Sequence, residues 1–441
     1  MIQKVELPEL GLVVLLEPQK VAPSLSGSVG PFSVGIWLPI GSRFEKKGEF
    51  GLSHLVEHLV FKKKSVTNLV KKLEGKGADL NGFTSHEYTC FQVTCLNEDA
   101  EPALEFLGEV LKDLVLPEEE FEREKQVIIQ EILSAKDDIE QDFHEFILKN
   151  SFPQTGLDRS IAGEVEELRQ LRLVEVQSYH RHLYQRGRAV ISVAGIFHPT
   201  RIRSLINEVF QFRKKIKWSD YGRLWQGYFS HFEGSAVSRA LQPGVFIHER
   251  NTQHLYLSVL FELDSIFSPE RFYAHLLNSW FAQGMASRLF FRLREELGLV
   301  YFVNGSVATF LDRGFYLIEA SSDPQKMPDV IEVLFQELEL LKKQSFSSSW
   351  LQKYKTLIRG QTVLASFDPE NRMGSLGVQE LYFQKPETLS HYLKNYQKIT
   401  QSHLKQFVKK RLNLSQAGVF LYGSQASKFP PFVQGLLAKA V

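Results

Sequence analysis

Short apolar runs alternate with amphipathic segments through the first 215 residues of the chain. Runs rich in β-branched and aromatic residues are typical of strands, and we predict strands over residues 12–16, 32–39, 83–96 and 189–196. Apolar residues spaced three and four positions apart are typical of helices that cover a core, and we predict helices over residues 51–61, 66–73, 99–114 and 117–134. This mixture predicts an α+β fold.

The pattern changes between about residues 213 and 244, where the sequence becomes basic, aromatic and rich in Gly and Ser. We interpret residues 216–243 as a linker between an N-terminal domain, 1–215, and a C-terminal domain, 244–441. The second domain repeats the order of the first, with predicted strands over residues 245–249 and 254–262, a helix from residue 269 and a strand pair over 301–320.

The two halves can be aligned as a loose internal repeat whose hydrophobic positions match while its polar positions differ. In that alignment Glu57, His58, Glu124 and Glu131 correspond to Asn278, Ser279, Lys353 and Gly360. We therefore predict two homologous domains, each a mainly antiparallel sheet flanked by helices, with chemistry in the first copy alone.

Composition narrows the class of protein. The 441 residues are 43% apolar and carry 52 Lys and Arg against 51 Asp and Glu, which fits a folded protein of two or three domains. A net charge of +1 argues against a dedicated nucleic-acid binder. No run approaches about 18 apolar residues and no signal peptide is evident, so we expect a soluble, cytoplasmic protein without a membrane partner. Cys90 and Cys95 lie on opposite faces of a predicted strand and should not form a disulfide.

The strongest chemical signal is the pentapeptide His54-Leu55-Val56-Glu57-His58. On a helix the two histidines lie one turn apart on the same face, where they can bind zinc, with Glu57 beside them as a base for a zinc-activated water. Such a pentapeptide also arises by chance in roughly a few per cent of chains of this size. A third ligand is needed, and Glu124 and Glu131, seven residues apart on one predicted helix, are both candidates.

The segment GSRFEKKGEFGLSHLVEHLVFK, residues 41–62, resembles the pitrilysin/insulinase superfamily of zinc metallopeptidases, and most of all its bacterial branch similar to the mitochondrial processing peptidase. The resemblance extends over nearly the whole chain. It implies one zinc ion (Zn²⁺) per chain, bound by His54, His58 and Glu131, with Glu57 as the general base. It also implies that Glu124 does not bind zinc itself but helps to orient the side chains that do.

Two further segments resemble the same superfamily. Residues 81–89, NGFTSHEYT, resemble a strand that receives the peptide substrate as an added β-strand, which implies substrate contacts at Asn81 and Thr84. Residues 287–303, SRLFFRLREELGLVYFV, resemble a segment in the second domain whose arginine and tyrosine contact the substrate, here Arg294 and Tyr301. We interpret His86 as a surface or substrate-pocket residue.

The function that we predict is a zinc-dependent endopeptidase for extended peptides or unfolded polypeptide segments held in a closed chamber. The resemblance implies two chains that close around this chamber, and we expect a homodimer with composite active sites. The alternative is a non-catalytic scaffold or binding subunit of a related complex, which would be expected to lose the zinc ligands. We interpret the basic run at residues 62–64 as a solvated loop.

Overall fold

The computed structural model describes residues 2–19, 29–185, 187–213 and 241–439. They form two compact units. The first contains the described residues before Phe146, those from Gln154 to 213, and the segment Leu364–Thr388. The second contains Phe146–Pro153, residues 241–363 and the described residues from Leu389 onward.

The strands are β1 (Gln3–Leu7), β2 (Leu12–Pro18), β3 (Pro31–Leu38), β4 (Asp79–Thr84), β5 (Thr89–Leu96), β6 (Ala189–Gly195), β7 (Gly244–His248), β8 (Leu255–Leu263), β9 (Phe302–Thr309), β10 (Gly314–Ser322) and β11 (Gly418–Gly423). The helices are α1 (Leu52–Lys62), α2 (Lys64–Glu74), α3 (Ala100–Leu111), α4 (Glu118–Asp137), α5 (Ile139–Ser151), α6 (Val165–Gln170), α7 (Leu173–His180), α8 (Pro199–Val209), α9 (Glu270–Phe281), α10 (Met327–Lys342), α11 (Ser348–Ala365), α12 (Pro369–Phe383), α13 (Leu389–Gln397), α14 (Gln401–Arg411) and α15 (Pro430–Lys439). Residues Phe290–Glu296 form a short π-helix.

The first unit is built on a six-stranded sheet in the order β1-β2-β6-β3-β5-β4. All neighbouring strands are antiparallel except β2 and β6. Side chains alternate between the two faces of β2: Leu12 and Val14 enter the main core, whereas Val13 and Leu15 enter a second cluster on the opposite face. Because both faces are covered, β2 is apolar at every position from 12 to 16.

The second unit repeats this topology. Its sheet has the order β7-β11-β8-β10-β9, which is the order β2-β6-β3-β5-β4 with five added to each number, and β7 and β11 are again the parallel pair. Helix α1 follows β3, and α9 follows β8 in the same way. The predicted α+β fold with two similar, mainly antiparallel sheets is therefore confirmed.

Each compact unit also contains a segment that lies far away along the sequence. Helix α12 belongs to the first unit, where Met373 and Leu376 pack with Trp37 on the face of the sheet opposite the main core. Phe146–Pro153 belongs to the second unit, where Phe146 packs edge-on against Phe420 of β11. The units thus differ from a contiguous division of the chain, and residues 216–240, which are most of the predicted linker, lie outside the described residues.

The predicted single strand over residues 83–96 is wrong, because this segment is a hairpin of β4 and β5. The turn contains neither Gly nor Pro. It is closed by Ser85, whose amide donates to the Tyr88 carbonyl at 2.8 Å and whose hydroxyl accepts the Tyr88 amide at 3.1 Å. Cys90 and Cys95 are both free, as predicted. Within the described residues, no helix is long and apolar enough to cross a membrane.

Candidate functional site

Helix α1 presents the pentapeptide from the edge of the main core. Leu55 and Leu59 are fully buried and fix the helix against the first sheet. His54 and His58 lie one turn apart on the adjacent face, where both are only partly buried. The α1 segment therefore keeps two imidazoles close to solvent on a rigid support.

The imidazoles converge with a carboxylate from α4. His54 Nε2 and His58 Nε2 are 3.2 Å apart, and Glu131 Oε2 lies 3.5 Å from His58 Nε2. Among the described residues, these three form the only group of at least three His, Cys, Asp or Glu side chains with geometry suited to a metal ion. Glu124, the other candidate for the third ligand, is not in this group.

The three side chains fit zinc in both chemistry and spacing. Two imidazoles and one carboxylate are a known donor set for catalytic zinc, with a fourth position left open for water or substrate. Zinc bonds of about 2.0–2.1 Å in a tetrahedron place the ligand atoms about 3.3–3.4 Å apart, and the separations of 3.2 and 3.5 Å agree with that. Burial and the neighbouring His58 lower the pKa of His54 to about 4, so its imidazole is neutral at pH 7, which is the form that binds metals.

Glu124 contacts His58 on the ring nitrogen that faces away from the other two candidate ligands. Its Oε1 accepts a hydrogen bond from His58 Nδ1 at 2.9 Å, which leaves Nε2 available to a metal ion. Its Oε2 lies 2.9 Å from Lys62 Nζ. Burial opposes the ionisation of Glu124, but the bonds from His58 and Lys62 outweigh it and keep the pKa below its ordinary value. Burial lowers the pKa of His58, but the hydrogen bond to Glu124 and the charges of Glu131 and Glu57 outweigh burial and raise this pKa above its ordinary value.

Glu57 is almost fully buried beside the two histidines, and it contacts the neighbouring strand β4. Thr84 donates its hydroxyl to Glu57 Oε2 at 2.6 Å. Burial raises the pKa of Glu57 above its ordinary value, although the Thr84 bond and the charge of His58 oppose this. A carboxylate with a raised pKa is a stronger base, which suits proton transfer near neutral pH. Thr84 was predicted to contact substrate, and its bond to Glu57 was not foreseen.

Strand β4 is the last strand of the first sheet, next to β5 alone. Asn81 is exposed on this edge and lies opposite Gln92 of β5. An edge strand can pair with an extended peptide through its backbone N–H and C=O groups. The structure therefore places Asn81 and Thr84 on one edge strand, with Thr84 directly beside Glu57.

The second unit uses the equivalent helix differently. Asn278, which corresponds to Glu57, is buried and donates its amide to the carbonyl of Gly305 in β9 at 2.8 Å. Arg294 is exposed on the π-helix, with its guanidinium 5.0 Å from the centre of the Phe290 ring. Tyr301 is 59% exposed, and its ring lies against that of His254. Arg294 and Tyr301 are thus accessible. Of the three candidate metal ligands, His58 and Glu131 correspond in this unit to Ser279 and Gly360.

The sequence analysis missed the contacts of three residues near the candidate site. Lys62 is the last residue of α1 and pairs with Glu124, and the next residue, Lys63, is buried with its ammonium group on the carbonyls of Glu109 and Lys112. The interpretation of residues 62–64 as a solvated loop is therefore wrong. Glu45 is buried and accepts hydrogen bonds from the backbone where α1 begins, which no local pattern indicated.

Comparisons with known proteins agree with this division of roles. Residues 29–165 match the family model described as Insulinase (Peptidase family M16), and residues 171–358 match the model described as Peptidase M16 inactive domain. An uncharacterized zinc protease of Mycobacterium tuberculosis is 26% identical over 405 residues, which span 90% of this chain and 89% of the relative. An uncharacterized zinc protease of Bacillus subtilis is 27% identical over 375 residues, which span 83% and 87%.

The crystal structure of a protease from Helicobacter pylori has the same fold, with a TM-score of 0.81 over 96% of this chain and 99% of that one, at 17% identity. The two family models match in succession along the chain, and together they span most of it. The protein therefore belongs to the M16, or insulinase, family of peptidases.

Proposed function

We propose that this protein is a zinc-dependent endopeptidase that hydrolyses extended peptides or unfolded polypeptide segments. One observation carries the proposal: His54, His58 and Glu131 converge beside a buried Glu57 that is hydrogen-bonded to an edge strand. The ligands, the base and a place for the substrate backbone thus lie together on the first unit. The relatives named as zinc proteases support the choice of metal.

His54, His58 and Glu131 would hold one zinc ion per chain. Zinc in such a site lowers the pKa of a bound water and polarises a carbonyl group. Glu57 takes a proton from the attacking water, whose oxygen adds to the carbonyl carbon of the scissile bond. When the C–N bond breaks, Glu57 returns that proton to the leaving amine. Thr84 donates to Oε2 of Glu57, and the other oxygen, Oε1, is available to take the proton.

The substrate backbone would pair with β4, which fixes an extended peptide with little dependence on its side chains. Arg294 and Tyr301 would donate hydrogen bonds to the carbonyl oxygen as negative charge develops there. Both side chains are exposed, as this role requires.

The test measures zinc content and cleavage of a quenched peptide library by the wild type and by Glu57→Gln. Glu57→Gln keeps the size of the side chain but removes the base, so we expect full zinc content with cleavage reduced at least 100-fold. Wild-type protein that holds stoichiometric zinc but cleaves no peptide would instead support a non-catalytic binding subunit. Loss of zinc from Glu57→Gln would make the variant uninformative about the base, and Glu57→Asp would then be compared in its place.

We further propose that two chains form a homodimer in which the zinc site of one chain works with Arg294 and Tyr301 of the other, around a closed chamber. Glu57→Gln and Arg294→Ala are each expected to be nearly inactive as homodimers. After subunit exchange, a mixed dimer would contain one site with both residues intact, so activity should return to as much as half of the wild-type level. No recovery in verified mixed dimers would contradict a site shared between chains.

A further inference from the structure

The N-terminus of α1 is capped by a residue that lies outside the helix. Gly51, the residue before α1, has a positive φ of 91° and no side chain to cap the first turn. Glu45 supplies the cap: its Oε2 accepts the Gly51 amide at 2.8 Å and its Oε1 accepts the Ser53 amide at 2.6 Å. A carboxylate at this position also interacts favourably with the helix dipole. Both oxygens of Glu45 are therefore used to fix the backbone directly before His54.

The two histidines differ in what orients their rings. His58 Nδ1 is bonded to Glu124, as is usual for a metal-binding histidine. His54 Nδ1 is buried and has no hydrogen-bond partner among the described residues. Besides its contact with the His58 ring, the His54 ring is therefore positioned by its backbone, which lies in the first turn of α1.

The loop around Glu45 is held firmly. Arg159 donates to the backbone carbonyls of Glu45 and Arg43, both at 3.1 Å. Gly163 packs so closely on Gly51 that a Cβ atom at position 163 would overlap its backbone. The Glu45 carboxylate is thus confined to one place, as a positioning group must be.

We propose that Glu45 is a positioning residue of the metal site, which fixes the first turn of α1 and through it the His54 ligand. This inference rests on the zinc binding proposed above. It assigns to Glu45 for His54 the part that Glu124 plays for His58. The competing explanation is that Glu45 only stabilises the loop before the helix.

Glu167 provides a matched control, because it holds the same loop without reaching α1. Its Oε2 accepts the amides of Gly48 at 3.1 Å and Phe50 at 3.0 Å. Glu45 and Glu167 therefore each accept two backbone N–H groups, but only those of Glu45 belong to the start of the helix. A Glu→Gln substitution at either site removes a comparable anchor from the loop.

The experiment compares Glu45→Gln and Glu167→Gln with the wild type at pH 8, where Glu45 is ionised even though burial raises its pKa to about 7. Zinc affinity is measured by competition with a chelator, and stability by thermal unfolding in EDTA. We expect Glu45→Gln to weaken zinc binding about 10–100-fold, as loss of a supporting residue does, and Glu167→Gln to weaken it less than about 3-fold. In EDTA, both variants should unfold at a lower temperature than the wild type.

Equal zinc affinity of Glu45→Gln and the wild type would overturn the inference, and so would an equal loss in Glu167→Gln. If Glu45→Gln does not fold, Glu45→Asp replaces it: it keeps the charge but is too short to reach both amides, and the same comparison applies. Failure of the wild type itself to bind zinc would overturn the proposed function together with this inference.

Discussion

Removal of the Glu124 carboxylate should weaken zinc binding although Glu124 is outside the group of three proposed ligands. Glu124 is 2% exposed and accepts two charge-assisted hydrogen bonds, one from His58 Nδ1 and one from Lys62 Nζ. In Glu124→Ala the Lys62 side chain, which is 39% exposed, can turn into water at little cost. His58 cannot, because its ring is held on α1 and only 19% of its side chain is exposed. The main consequence of Glu124→Ala should therefore be that His58 Nδ1 loses its hydrogen-bond partner.

The size of the effect follows from the lost orientation and basicity of this ligand. Loss of a carboxylate behind a ligating histidine typically costs 10–100-fold in metal affinity, which corresponds to about 1.4–2.7 kcal/mol. Glu124→Gln should cost less, because the amide oxygen can still accept from His58 Nδ1. Lys62→Met leaves the His58–Glu124 bond in place and should change the affinity less than about 3-fold.

The assay is competition for zinc with a chelator of known affinity, at pH 7.5 and fixed ionic strength. Gln126→Ala, an exposed position on the same helix, serves as the control for general effects on α4. Wild-type affinity in Glu124→Ala would refute the reasoning. An equal loss in Lys62→Met would also refute it, since the effect would then follow the lysine rather than the histidine.

Three further results are expected. In urea titrations, Gly377→Ala should lower the free energy of unfolding by about 1–3 kcal/mol, because a Cβ at this position would overlap the Trp37 ring. Gly374→Ala on the same helix would place its Cβ 3.9 Å from that ring and should be neutral or stabilising. Equal effects of the two substitutions would contradict the packing of α12 on the first sheet. His180 donates to the Val110 carbonyl, and burial lowers its pKa to about 4. The unfolded chain therefore binds more protons than the folded chain between pH 6.5 and 4, and the free energy of unfolding falls on acidification. His180→Gln should remove about 2 kcal/mol of the stability loss measured in EDTA between pH 7 and 5, and an unchanged pH dependence would refute this. At free zinc 100 times its dissociation constant the metal should add about 2.7 kcal/mol of stability, so EDTA should lower the unfolding midpoint in calorimetry, and a midpoint indifferent to EDTA would contradict a zinc site in the folded protein.

Local sequence was sufficient for the elements that carry the candidate site. The i, i+4 spacing of His54 and His58 can place two imidazoles together only on a helix, and the leucines between and around them predicted that helix. The apolar strands and the internal repeat predicted two similar sheets for the same reason: their periodicity is a property of consecutive residues. The hairpin of β4 and β5 was missed because Ser85 makes its turn, without the Gly or Pro that signals one.

Contacts between segments that are far apart in the sequence could be identified only from the tertiary structure. The residues alone left Glu124 and Glu131 as equal candidates, and only the packing of α4 on α1 brings Glu131 to the histidines and Glu124 behind His58. The bond from Thr84 to Glu57 and the cap from Glu45 likewise join residues on different elements.

The sequence by itself determined the pair of candidate metal ligands on one helix and the repeated fold, because histidine spacing on a helix and hydrophobic periodicity are local. Only the tertiary structure decided which carboxylate meets the histidines and which one supports them. It also decided that α12, from the second half of the chain, covers the first sheet. These choices depend on which surfaces are buried against each other, and a glutamate on a helix has the same sequence signature whether it points at a metal site or at water.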